Sequence, residues 1–407
     1  MSFAKESVKS KMLILKNFLL KESGECGLNK YSVKRADISL FIIELGFALK
    51  IITILTFDST NIVCDLLFYF CFFIALVNLA KYKRNQLSFF VLAVLYSLVY
   101  FSSARRNLFL LFVICAFILS SCNYRNSLKT TFCTAFAAFF IISIIAAFGA
   151  ASNLWFKDFD GNLYYTFGFK NPNTFAMFFF SSMICFLLLF RKQFGKIIDL
   201  IFIALSALVF VITGCKTLII CTVLLYFSNF LIKHIHFKIV KFFCILFPLL
   251  VTLLLSFLAL HVKKFLFVDL FLTGRLSLYN SLFSHSNLPG IILGNSRLIT
   301  KNSITLDSAY FSLIFSGGIV SFIIFLKLYA NFVKNSFERN DWFLLSVIVT
   351  YLCYGIMESV FTNILLFPNL VLWILILQAK VVPHKKDIHL KSLIFKLKES
   401  SLEDNHL

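Results

Sequence analysis

The sequence predicts an all-α integral membrane protein of about twelve transmembrane helices, with cytoplasmic N- and C-termini and a large extracytoplasmic loop between spans nine and ten. Composition is the first of three observations behind this prediction. Of 407 residues, 60% are hydrophobic and 14% charged, against about 25% charged in ordinary soluble domains. Patterning is the second: apolar runs long enough to cross a bilayer recur from Ile38 to Gln378. They lack the strict alternation of a membrane barrel, and only helices satisfy backbone amides in hydrocarbon. The third is charge placement. The net charge of +20 falls mainly between the apolar runs, so its expected partner is the lipid headgroup layer and not nucleic acid. Disordered, collagen-like and disulfide-scaffold classes are excluded by the same composition.

Residues 1–37 form a basic cytoplasmic tail with eight Lys or Arg and no apolar core of the length a cleavable signal needs. Within it, KSKMLILKNFLLK suits either an amphipathic helix on the inner leaflet or a tail that only fixes topology. Residues 38–378 form one polytopic domain. Its expected spans are 38–57, 61–80, 86–103, 107–122, 131–152, 174–190, 197–213, 217–232, 242–261, 308–326, 342–359 and 360–378. Pro248 and Pro368 are expected to kink the spans that hold them. Residues 379–407 form a basic cytoplasmic tail. No internal repeat divides the chain.

Orientation follows from the cations. One side of this path collects 28 of the 39 Lys and Arg, including both tails, which makes that side cytoplasmic. The hairpins 104–107 and 214–216 and the loops 153–173 and 262–307 then face outward. The 11 Cys lie almost all inside apolar runs without a CxxC pair, and the seven His are dispersed. They read as packing residues, with no metal site and no cofactor expected.

Some charges do not suit a passive bundle, because an ionisable group in or beside a span is costly. Lys216, in the short outer hairpin ITGCKTLII, is a candidate anion ligand. Arg105 and Arg106, adjacent at another outer turn, oppose the positive-inside trend and are a second. Arg275 opens the amphipathic stretch RLSLYNSLF in an outer loop that Lys263, Lys264, Arg297 and Lys301 make basic. Facing it are Asp307, at the start of span ten, and Glu358, at the outer end of span eleven. Either carboxylate suits a general base or an ion-pair partner that orients Arg275. Glu44 and Lys50 suit a mutual pair or snorkelling. In YYTFGFKNPNTFAMFFF, Asn173 is expected to cap the following helix, and Tyr164, Tyr165 and Asn171 offer sugar-compatible faces and amide groups.

Taken together, YTFGFKNPNTFAMFFF, VITGCKTLIICTVLL, TGRLSLYNSLF through Gly294, and LDSAYFSLIFSGGIVSF with YGIMESVFTN resemble, in their order and their placement on the expected outer face, the Wzy-type polysaccharide polymerases of the O-antigen ligase and polymerase superfamily. The resemblance covers residues 100–380. It departs at Lys216, where the family usually has Arg; the charge stays but the bidentate fork is lost. The resemblance implies a metal-independent, inverting glycosyltransferase in the bacterial plasma membrane. Such enzymes join undecaprenyl-pyrophosphate-linked oligosaccharide repeat units, as donor and acceptor, into capsular polysaccharide or exopolysaccharide at the outer face. On that reading Arg275 and Lys216 hold the pyrophosphate, Arg105 and Arg106 support them, and Asp307 or Glu358 takes the acceptor proton. Asn171, Asn173 and Tyr310 contact the sugar or position its loop. A chain-length regulator and a flippase are the partners the resemblance implies, beside membrane lipids. A ligase-like transferase acting on another acceptor shares the expected site. A transporter or flippase is the reading from another class, although it would place its unusual residues near the midplane.

Overall fold

The computed structural model describes residues 30–57, 70–71, 74, 122–149, 154–157, 161, 163–169, 171–235, 238–272, 274–294, 307–359, 361 and 367–378. It is mostly helical. In chain order the helices are α1 (Lys30–Phe57), α2 (Tyr124–Ala147), α3 (Pro172–Phe194), α4 (Lys196–Thr213), α5 (Lys216–His234), α6 (Lys238–Leu260), α7 (Leu266–Phe271), α8 (Arg275–His285), α9 (Leu288–Leu293), α10 (Ala309–Glu338), α11 (Trp342–Met357) and α12 (Leu370–Gln378). Among the described residues, six helices (α2 to α6 and α10) are long and apolar enough to cross a membrane. This is a multi-pass membrane protein. Apart from residues 70–71, 74 and 122, the expected spans 61–80, 86–103 and 107–122, with Arg105 and Arg106, the amphipathic stretch of the N-terminal tail, and the C-terminal tail lie outside the described residues.

Apolar side chains ring the bundle's outside as well as filling it: Phe136, Ile197, Leu200, Val211, Val223, Leu253 and Phe257 are all exposed, as lipid-facing surfaces require. The interior is aromatic. Phe180 packs edge-on against Tyr351 and Tyr354, with ring centroids 5.6 and 5.4 Å away. Phe325 meets Phe361 and Trp373 at 5.0 and 5.7 Å.

The two prolines expected to kink their spans are placed differently. Pro248 lies inside α6, where it removes the amide that would bond to the Cys244 carbonyl one turn back. The Tyr329 hydroxyl on α10 supplies the replacement, donating to Cys244 O at 2.6 Å. Pro368 instead sits in a 3-10 turn, Phe367–Asn369, immediately before α12. There its missing N–H removes no helical bond. α10 also runs on to Glu338, past the expected end at residue 326. Tyr329, Phe332 and Val333 are buried along that extension and hold it in the bundle. α10 breaks at Gly318 (φ 76°, ψ 169°). Gly294 (φ +93°) lies over the break so closely that a Cβ there would stand 2.8 Å from the Ser316 carbonyl oxygen.

The segment expected to form the outer loop 153–173 holds a feature not expected from the sequence. Trp155–Lys157 (β1) and Leu163–Tyr165 (β2) pair as an antiparallel hairpin, with Trp155 opposite Tyr165. An aromatic column anchors it: the Tyr165 ring meets Phe167 at 4.9 Å, and Phe167 stacks on Phe175 of α3 at 4.4 Å. That packing holds Phe167 at φ 53°, a conformation uncommon for an aromatic residue.

Candidate functional site

The site is built on α8, whose first residue is Arg275. Gly274 (φ 78°) turns the chain into this helix and offers no side chain to cap it. Asp269, in α7, does so instead. Its Oδ1 accepts from the backbone amides of Leu276 and Ser277 at 2.8 and 3.1 Å, and its Oδ2 accepts from the Ser277 hydroxyl. A carboxylate at a helix N-terminus both satisfies orphan amides and complements the helix dipole. The first turn of α8, and Arg275 with it, is thereby fixed.

A strut of hydrogen bonds then brings two other helix ends to Arg275. The Ser308 amide donates to the Tyr279 hydroxyl of α8 at 3.2 Å, and the Ser308 hydroxyl donates to the Gly355 carbonyl of α11 at 3.4 Å. Tyr310 donates to the Leu352 carbonyl at 2.8 Å. These tie the start of α10 to the end of α11. Gly355 suits this crossing, since a Cβ there would meet Phe361 and the Ala309 Cβ at 3.0 and 3.1 Å.

The result is a cluster of three charges from three separate segments. Arg275 Nε donates to Asp307 Oδ2 at 3.2 Å, and Arg275 Nη2 lies 3.9 Å from Glu358 Oε1. Arg275 Nη1 faces the Met357 sulfur at 3.6 Å. The two carboxylates differ. Asp307 is 40% exposed and directly hydrogen-bonded, whereas the Glu358 side chain is 15% exposed. Among the described residues, no hydrogen-bond donor reaches the Glu358 carboxylate. Glu358 follows the last turn of α11, outside the helix proper. Burial pushes its carboxyl up to about 7; Arg275 pulls it down and Asp307 pushes it up again.

Lys216 stands at the same end of the bundle. It is the first residue of α5 and is exposed. Its neighbour Cys215 is close enough to Glu358 to feel its charge: burial pushes that thiol up to about 11, and Glu358 adds to the shift. Among the described residues, Lys216 makes no ion pair. The β-hairpin roofs this corner. The Tyr164 ring lies over Gly214 (φ +64°), the residue ending α4, so closely that a Cβ there would fall 2.3 Å from Tyr164 Cε1.

The remaining expected residues are placed as follows. Asn171, not Asn173, caps α3: its side-chain oxygen accepts from the Asn173 amide at 2.8 Å, with Pro172 as the first helical residue. Asn173 is half-buried in the first turn. Tyr310 is fully buried with its hydroxyl on Leu352, so it braces helices and does not face a ligand. Lys263 and Lys264 lie in the 3-10 turn after α6; Arg297 and Lys301 lie outside the described residues. Glu44 does not pair with Lys50. It is fully buried and accepts from the Thr131 hydroxyl. Asp199, at the other end of the bundle, holds Arg191 at 3.0 Å and receives the Tyr226 hydroxyl at 3.2 Å.

Sequence reasoning missed Asp269 and Tyr279. A signal existed for the first, since an acidic residue shortly before a Thr-Gly-Arg turn is well placed to cap the helix that follows. No protein-family model, no curated protein and no solved structure matches the chain.

Proposed function

We propose that the chain is a membrane glycosyltransferase that polymerises lipid-pyrophosphate-linked oligosaccharide repeat units at the outer face of the bacterial plasma membrane. It crosses the bilayer about twelve times with both termini inside. The observation that carries the reading is the convergence of Arg275, Asp307 and Glu358 at one end of the bundle, with Lys216 at that same end.

In the reaction, an acceptor sugar hydroxyl oxygen attacks the anomeric carbon of the donor glycan from the face opposite the pyrophosphate. The new C–O bond forms as the old one breaks, and the bonding pair leaves with the pyrophosphate oxygen. Arg275 and Lys216 stabilise the charge that develops there. Arg275 has donors to offer: Asp307 takes Nε, while among the described residues Nη1 donates only weakly, to a thioether, and Nη2 lies beyond hydrogen-bond distance of the Glu358 carboxylate. Glu358 accepts the hydroxyl proton, since it is buried, free of hydrogen-bond donors among the described residues, and titrates near neutrality. Asp307 orients Arg275. Both substrates are held in one membrane by their lipid tails, which supplies proximity.

The test is polymer length in cells that express Arg275→Ala or Lys216→Ala at wild-type membrane levels. Loss of long polymer supports the assignment; polymer of normal length in both variants rejects it. A ligase shares this geometry and differs in its product, because it needs preformed polymer and a second acceptor.

A further inference from the structure

Apart from the Arg275 cluster, α1 and α2 bury a second polar cluster that the proposed reaction does not use. Glu44 lies within α1 and is 0% exposed. Its Oε1 accepts from the Thr131 hydroxyl of α2, while Oε2 is buried with no hydrogen-bond partner. Thr134 follows one turn along α2. Its hydroxyl is likewise buried and is directed at the same carboxylate, short of a well-formed hydrogen bond. Thr residues within helices usually donate back to the preceding turn, as Thr213, Thr222, Thr252 and Thr350 do here; Thr134 is turned away from that bond.

Among the described residues, the surroundings of this pair are mostly apolar. Leu40, Ile43, Phe47, Ala135 and Ala138 are buried on the same two helices. Among the described residues, no Lys or Arg pairs with Glu44. An ionised carboxylate buried without a partner costs several kcal/mol, and in a membrane helix such a group calls for a functional explanation. Asp37 lies two turns earlier on the same face of α1, nearer its start. It is held by the Asn126 side-chain amide at 2.7 Å. Two carboxylates thus share one face of α1, and hydroxyl oxygens flank the inner one.

We infer that Glu44, Thr131 and Thr134 bind one alkali-metal cation between α1 and α2, inside the membrane domain. The donors are hard oxygens, which suit such ions. One carboxylate balances one monovalent cation, whereas a divalent ion would leave a net buried charge. The absence of His and Cys spacing in the sequence has no bearing on a site of this kind. Nor does the inference depend on the glycosyltransferase reading.

The experiment is thermal unfolding of the purified full-length protein in lipid nanodiscs, titrated with NaCl or KCl against choline chloride at constant ionic strength. The expected result is a melting temperature that rises with sodium or potassium along a saturating curve and does not rise in choline. Glu44→Gln abolishes the response, and Thr134→Val moves its half-saturation to about tenfold higher concentration, or about 1.4 kcal/mol. Equal melting in all three salts overturns the proposal and makes Glu44 a neutral acid. A full response retained in Glu44→Gln also overturns it. Should Glu44→Gln fail to fold, Thr134→Val decides: an unchanged half-saturation rejects the donor set.

Discussion

Arg275 and Asp307 are 32 residues apart in the chain and 3.2 Å apart in space. The pairing needs α8 to begin at one particular residue and α10 at another. Asp269 fixes the first by capping α8, and Tyr279 and Ser308 fix the second. Glu358 joins them because Gly355 allows α11 to end against the start of α10. Each of these relationships yields a measurable consequence.

The pH dependence of turnover should carry the signature of Glu358. A base must be deprotonated to work, so activity should rise with pH through an inflection near 7. Glu358→Gln should remove that limb along with most of the activity. Asp307→Asn should move the inflection to lower pH, because it deletes a charge that raises Glu358 and frees Arg275 to lower it. The same group makes stability fall with rising pH. The folded state binds this proton more tightly than the unfolded chain, so the group's contribution is complete below the ordinary carboxylate range and is lost as pH rises through about 7. A flat activity profile between pH 5 and 8 would dismiss Glu358 as the base.

Gly214→Ala should destabilise the corner where the hairpin meets α4. It puts a Cβ 2.3 Å from the Tyr164 ring at a residue with φ +64°, which costs about 1–3 kcal/mol in backbone strain before any clash is counted. Tyr164→Ala in the same chain should recover the clash but not the strain. Melting of the single and double variants separates the two, and an unperturbed Gly214→Ala would contradict the packing of the hairpin.

Asn171→Ala should lower stability by about 1 kcal/mol through the lost cap on α3. Asn173→Ala should change it little. Equal losses at the two positions in thermal unfolding would mean that the cap was assigned to the wrong residue.

Tyr329→Phe should cost about 1–3 kcal/mol, since it strands the Cys244 carbonyl that Pro248 has already deprived of its helical partner. Pro248→Ala restores an amide there. The double variant should therefore recover most of what Tyr329→Phe loses, and additive losses in melting experiments would refute the relationship.

The helices were legible because lipid demands long apolar runs, and those runs leave their imprint whatever the tertiary packing. Arg275, Asp307 and Glu358 were legible for the complementary reason: charges at span ends are few, so those at one face are candidates for one cluster. What packing alone decides was not legible. Tyr310 looks like a site residue in LDSAYFS, yet its hydroxyl is claimed by the Leu352 carbonyl. The frame of the α3 cap was misjudged although Pro172 marked it, because Pro favours the first helical position and makes Asn171 the cap. The hairpin has strands of only three residues, too short for alternation to register; its turn around Gly161 (φ +87°) was the available cue. Glu44 read as a pair for Lys50 because sequence distance does not reveal that Thr131 faces it from another helix.

The central claim is tested most directly with purified protein in lipid, given one lipid-pyrophosphate-linked repeat unit in the presence of chelator, with products resolved by gel. The account predicts a ladder of repeat multiples that disappears with Arg275→Ala. No ladder from folded wild-type protein supplied with its native repeat unit, or an undiminished ladder from Arg275→Ala, would contradict it.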